Sequence, residues 1–125
     1  MERNIPVALK MHKASKELEI CYDKGESYRL SSEFLRVNSP SAEVRGHGNP
    51  VLQTGKINVM VTALEAVGNY AVRLRFDDGH DTGIYDWRYL YDLCVNRDKY
   101  WDEYLQALHD ASASRDPELS VLTLF

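Results

Sequence analysis

Side chains able to do chemistry are sparse in this chain and gather in two places. Of its four histidines, His12 falls on the polar side of an alternating segment, where a solvated imidazole is the simplest reading. His109 lies near the end of an amphipathic stretch, where an imidazolium would suit a helix dipole. His47 sits between Gly46 and Gly48, and His80 follows the turn Asp77-Asp78-Gly79. These two are the positions where function is plausible. Imidazole with the carboxylates Glu43, Asp78 and Asp81 is a donor set that suits zinc or iron, although Asp is also the ordinary residue of tight turns.

Nucleophilic and phosphate-binding signatures are missing. The sequence has no G-x-S-x-G elbow, no Walker GxxxxGK[ST], no GxGxxG and no HExxH. No histidine begins the H-x-[DE] of an iron facial triad: the candidates read His12-Lys13-Ala14, His47-Gly48-Asn49, His80-Asp81-Thr82 and His109-Asp110-Ala111. The expectation is a chain that is not an enzyme and needs no cofactor, with zinc or iron at His80 as the alternative. Fifteen basic against nineteen acidic residues give a net charge of −4, the wrong sign for a nucleic-acid partner. Arg73 and Arg75 alternate as on a solvated sheet face. Cys21 and Cys94 both lie in apolar patterns, are not arranged as a metal motif, and are expected to be reduced. With no apolar leader and no membrane-length apolar run, the chain reads as cytoplasmic.

The elements that must position these groups can be read from periodicity. Val7, Leu9 and Met11 alternate with polar neighbours, as do Leu18, Ile20 and Tyr22, and Glu26–Leu30 supplies a return strand after Asp23-Lys24-Gly25. Ser31 is an N-cap for a short helix through Phe34, Leu35 and Val37. Residues 38–55 read as an irregular loop of about 18 residues with one helical turn at Ser41–Arg45, long enough to suggest function. Strands are then expected over Ile57–Leu64, Tyr70–Phe76 and His80–Tyr85, followed by a helix capped by Asp86 with Trp87, Leu90, Tyr91 and Cys94 on one face. A last helix carries Tyr100, Trp101, Tyr104, Leu105 and Leu108 on a stripe. The fold class is α+β, an antiparallel β meander with short helices on one side and a helical C-terminal segment. Residues 1–111 are expected to form the domain and 112–125 a tail.

Two segments echo each other. Tyr22-Asp23-Lys24-Gly25 matches Phe76-Asp77-Asp78-Gly79, and Ser31-Ser32-Glu33-Phe34-Leu35 matches Asp86-Trp87-Arg88-Tyr89-Leu90. Each reads strand, turn, strand, capped helix. A duplication and a chance recurrence of hairpin-plus-helix units both explain it.

The run Phe34-Leu35-Arg36-Val37-Asn38-Ser39-Pro40-Ser41-Ala42-Glu43-Val44, then Gly46-His47-Gly48, with Gly68-Asn69-Tyr70-Ala71-Val72 and Phe76-Asp77-Asp78-Gly79-His80-Asp81-Thr82-Gly83-Ile84-Tyr85-Asp86-Trp87, resembles the gamma-butyrobetaine hydroxylase-like N-terminal domain family. The similarity runs from Val7 to Cys94. In full-length oxygenases of that family the domain precedes a catalytic jelly roll and carries a structural zinc, held by three cysteines and one histidine. The resemblance places the cysteine positions on Ser39, Ser41 and Val44 and the histidine on His80. Neutral Ser is a poor zinc ligand and Val is none, so a zinc site of that type is expected to be absent. A similar domain also occurs in P-loop ATPases that carry iron–sulfur clusters, which implies such an ATPase as a candidate partner. The reading is then a stand-alone, non-catalytic adaptor domain with an unidentified protein partner and an interaction loop built from Ser39, Ser41, Glu43, Arg45, His47, Asp78, His80 and Asp81. The alternative is a metal-binding accessory protein in iron–sulfur cluster assembly.

Overall fold

The computed structural model describes residues 4–119, so Val121, Leu122, Leu124 and Phe125 of the expected tail lie outside the described residues. Six strands fall into two antiparallel three-stranded sheets, each running straight into a helix. In the first, β1 (Ala8–His12), β2 (Glu17–Cys21) and β3 (Ser27–Ser31) pair in chain order and lead into α1 (Ser32–Val37). The register sets Leu9 and Tyr28 opposite Ile20, and Met11 and Leu30 opposite Leu18. One apolar face results, as period-2 patterning requires. On the other face His12 is not merely solvated: its Nε2 lies 2.8 Å from Glu19 Oε1.

After the short helix α2 (Ala42–Arg45) and a tight turn at Gly46–Gly48, the second sheet pairs β4 (Val61–Val67), β5 (Ala71–Phe76) and β6 (Gly83–Asp86) in order. It leads into α3 (Trp87–Val95) and α4 (Arg97–Asp110). The α+β class is as read from the sequence, with the strands split into two meanders. Both sheets, α1 and α3 share one core, in which Leu18, Ile20, Leu30, Phe34, Leu35, Val61, Leu74, Tyr85, Leu90 and Leu93 are almost wholly buried.

Three expectations are corrected. The strand expected from Ile57 starts only at Val61, because Ile57 N donates to Arg115 O, Val59 N to Lys56 O and Met60 N to the Asp77 carboxylate. A register shift between Val61 and Ala63 then breaks the alternation, so that Leu64 rather than Ala63 packs on the core after Val61. On α4, Tyr104 and Leu108 are buried but Leu105 is exposed, because this helix flanks the core and turns only a narrow stripe to it.

The first residues of the expected tail pack on the domain. Gly55 N donates to Ser114 O (2.9 Å), and the Arg115 guanidinium pairs with both oxygens of buried Glu33 at 2.7 and 2.8 Å while lying over the Trp101 ring. Burial of Glu33 requires such a partner.

The internal echo extends to hydrogen bonds. Tyr22 N donates to Glu26 O and Gly25 N to Tyr22 O, just as Phe76 N donates to His80 O and Gly79 N to Phe76 O. Gly25 and Gly79 adopt φ of +88° and +89°, a left-handed region that favours glycine. The caps repeat too, Ser31 accepting from Phe34 N and Asp86 from Tyr89 N. His80 therefore occupies the place that Glu26 holds in the first unit.

Candidate functional site

The site forms where the loop leaving α1 meets the turn between β5 and β6. Local capping fixes the loop's start. Tyr85 and Tyr89 donate their hydroxyls to Leu35 O and Asn38 O, and Asn38 Nδ2 donates to Phe34 O. The two Tyr hydroxyls satisfy carbonyls at the end of this short helix, and Asn38 Nδ2 adds a second bond to Phe34 O, which already accepts from Asn38 N. Ser41 then caps α2, its Oγ accepting from Glu43 N.

Beyond those caps the side chains close a ring. Ser39 Oγ and His80 Nε2 are 2.8 Å apart, and His80 Nδ1 is 3.3 Å from Glu43 Oε2. Because the carboxylate only accepts, Nδ1 carries the proton and Nε2 accepts from the Ser39 hydroxyl. Ser39 Oγ in turn accepts from Ser41 N (3.2 Å). Thr82 donates to Glu43 Oε1 (3.2 Å), which leaves its oxygen to accept from Ser41 Oγ at 2.6 Å. Every donor in this set finds an acceptor. Burial, then the Arg36 guanidinium, holds the His80 imidazole below its ordinary value, with Glu43 and Asp78 pulling the other way.

A charged clamp lies alongside. Arg36, buried on α1, donates Nε to Asp78 Oδ2 (2.9 Å) and Nη1 to Gln53 Oε1 (3.0 Å), while Lys56 Nζ meets the same carboxylate oxygen at 2.8 Å. Asp78 Oδ1 also accepts from His80 N. Burial would raise the Asp78 carboxyl, but Lys56, the His80 N–H and Arg36 outweigh it and bring it down to about 2. Gly83 completes the junction by close approach: a Cβ there would lie 2.7 Å from Ser39 Oγ and 3.1 Å from Tyr85 Cε1.

Of the eight residues expected to form one interaction loop, Asp78 sits in the charged clamp and the other seven separate into three groups. Ser39, Ser41 and His80 are buried and face inward, hydrogen-bonded to the loop and the turn. Glu43, Arg45 and His47 are exposed, with His47 at φ +51° between two glycines and Arg45 packed 4.9 Å from the Tyr89 ring centroid. Asp81 points away, its carboxylate facing Arg73 and Arg75 at 3.5 and 3.4 Å, so it does not join the site. Arg36, Gln53, Lys56, Thr82 and Gly83 were not singled out by sequence. Arg36, Thr82 and Gly83 lie in the runs that carry the family resemblance, but nothing linear links them to Lys56 and Gln53.

Two chemistries can be tested against this geometry. Ser39, His80 and Glu43 have the order of a nucleophile, base and orienting acid. Yet Ser39 is 0% exposed, and its oxygen is occupied by Ser41 N. The Ser39 hydroxyl is closed off from solvent, and only the Glu43 end of the set is exposed. Of the zinc set implied by the family resemblance, Ser39, Ser41 and His80 meet at the junction, and Val44 is buried one helical turn beyond Ser41. The donors do not fit. Two ligands of one tetrahedral zinc stand roughly 3.3 Å apart or more, whereas Ser39 and His80 are in direct hydrogen bond, both hydroxyls are committed elsewhere, and Val44 offers no donor. No cluster of three or more His, Cys, Asp or Glu suited to a metal occurs among the described residues.

Fold and junction thus define an α+β domain of paired three-stranded sheets pinned by a buried imidazole–hydroxyl contact. The family model described as gamma-butyrobetaine hydroxylase-like, N-terminal, matches residues 9–91, and the chain belongs to that family. Two proteins with NMR solution structures are 53% and 51% identical, covering 99% of this chain and 99% and 94% of theirs, with TM-scores of 0.84 and 0.81. A crystal structure of a protein of unknown function in the DUF971 family, from Acidithiobacillus ferrooxidans, is 39% identical over 70% of this chain and 90% of its own, with a TM-score of 0.61. No curated protein matches the chain. Among the described residues no helix is long and apolar enough to cross a membrane.

Proposed function

We propose that this chain is a non-catalytic binding module whose partner-facing surface is the exposed rim of the loop, Arg45 and His47, together with the outer side of the β5–β6 turn. The observation that carries this reading is a division of labour within one segment. Ser39 and Ser41 are locked inward by hydrogen bonds while Arg45 and His47 are exposed on either side of a left-handed turn. A loop held rigid at its base loses little conformational freedom when its rim is bound. The sealed Ser39 hydroxyl supports a non-catalytic role, and the unbridged thiols of Cys21 and Cys94 support a reducing, cytoplasmic setting. The partner class the family resemblance points to is a P-loop ATPase that carries iron–sulfur clusters, with the domain acting beside the cluster and not ligating it.

Co-purification from native lysate, read by mass spectrometry, tests this. The wild-type chain is compared with an R45E/H47E variant shown by circular dichroism to be folded. Loss of a specific partner from the variant is expected, and a P-loop iron–sulfur carrier among the lost proteins supports the named class. Retention of every partner by the folded variant overturns the assignment of the rim.

A further inference from the structure

We infer that this chain joins its α1–α2 loop to its β5–β6 turn by a closed ring of hydrogen bonds at the place where the family resemblance implies zinc, and that the junction neither needs nor takes a metal. Glu43 accepts from His80 Nδ1 and Thr82 Oγ1, Thr82 accepts from Ser41, and Ser39 donates to His80 Nε2 while accepting from Ser41 N. Both imidazole nitrogens are therefore engaged, and both serine hydroxyls already have donor and acceptor partners. A zinc ion on His80 Nε2 would leave the Nδ1–Glu43 contact in place but displace the 2.8 Å Ser39–His80 contact, and gain one nitrogen ligand and two weak neutral oxygens in exchange. That exchange is unfavourable, because Ser39, Ser41 and His80 are buried, and buried polar groups left partly unsatisfied are worse than ones fully paired.

The geometry carries a second consequence. The ring ties segments about forty positions apart in the chain, which is the mechanical task of a structural metal. Ser41 caps α2 and Val44, also buried, stands one helical turn further on, its N–H donating to Ser41 O at 3.0 Å. Positions 39 and 41 belong to the ring and position 44 lies just beyond it on α2, so thiolates at 39, 41 and 44 would all stand on the segment that meets His80. Metal dependence of this junction is thus set by three side chains and not by its backbone.

The test compares wild type with an S39C/S41C/V44C variant under reducing conditions. Wild type is expected to show the same melting temperature with one equivalent of zinc and with EDTA. Its His80 ring nitrogen resonances in 15N NMR should be unmoved by zinc. The variant should take one cobalt(II) per chain, with the absorption of tetrahedral thiolate coordination, and melt higher with zinc than with EDTA. His80→Ala in the variant should weaken zinc binding at least tenfold. Stoichiometric zinc uptake by wild type with a shift of the His80 resonances overturns the inference, as does a folded variant that binds no metal. If the variant does not fold, the wild-type resonances alone decide, a shift overturning the inference and none supporting it.

Discussion

Replacing Ser39 by Ala removes one oxygen and leaves two buried groups without a partner. His80 Nε2 loses its 2.8 Å contact and Ser41 N its 3.2 Å acceptor, in a pocket where the His80 side chain is 1% exposed. An unsatisfied buried polar group costs about 1–3 kcal/mol, and the longer backbone bond adds to the lower end of that range. Together they amount to ~2–4 kcal/mol. For a chain of 125 residues, the entropy of unfolding per residue converts this to a fall in melting temperature of roughly 10 °C. Urea unfolding followed by the fluorescence of Trp87 and Trp101 measures it directly, and the slope m should not change. A double-mutant cycle isolates the contact. His80→Phe keeps a ring against Phe76, whose centroid is 5.9 Å away, and removes both nitrogens. The pair should couple by ~1–2 kcal/mol, since each single substitution abolishes the same bond. If Ser39→Ala costs under ~0.5 kcal/mol, or if the two substitutions simply add, the ring does not hold the loop and the reasoning fails.

Gly83→Ala should cost ~1–3 kcal/mol by overpacking against Ser39 Oγ and Tyr85. Its cost should shrink in the Ser39→Ala background, which the same urea assay reads. Arg115→Ala leaves Glu33, whose side chain is 5% exposed, without its ion pair, and is expected to lower stability by ~1–3 kcal/mol. Glu33→Gln in that background should recover part of the loss, and unchanged stability in the single variant would sink the assignment. Acid should weaken the fold in two steps. A depressed His80 leaves the unfolded chain binding more protons, so stability is full above about pH 6.5 and falls as pH drops below it. Asp78, brought down to about 2, contributes above its ordinary carboxyl range and loses that contribution as pH falls toward 2. Chemical denaturation at stepped pH should show the first loss vanish in His80→Phe, and its persistence there would contradict the origin given.

Much of the fold is legible in the sequence because burial on one face leaves a local signature. Alternation in Leu18-Glu19-Ile20 and in Val72-Arg73-Leu74 places strands, and Ser31 and Asp86 act as caps through bonds that close within three residues. The matched turns at Gly25 and Gly79 follow from the same short-range logic, since φ near +88° selects glycine wherever it occurs. The start of β4 was not legible. What stops a strand at Ile57 is Arg115 O, a partner far along the chain, and the Val61/Ala63 register shift leaves no mark on an alternating pattern.

The sequence alone determined the α+β class, the capped helices and the irregular loop, and it carries the resemblance to a family that implies thiolates where this chain has Ser39, Ser41 and Val44. The tertiary structure decided what those residues do. Only it could show that Ser39 and Ser41 face inward to His80 and Thr82, that Asp81 turns to Arg73 and Arg75, and that Arg36 meets Asp78 and Gln53. The physical reason is range. Capping and periodicity act over a few residues and are written in order along the chain, whereas satisfaction of a buried polar group depends on whichever segment folding brings within hydrogen-bond distance.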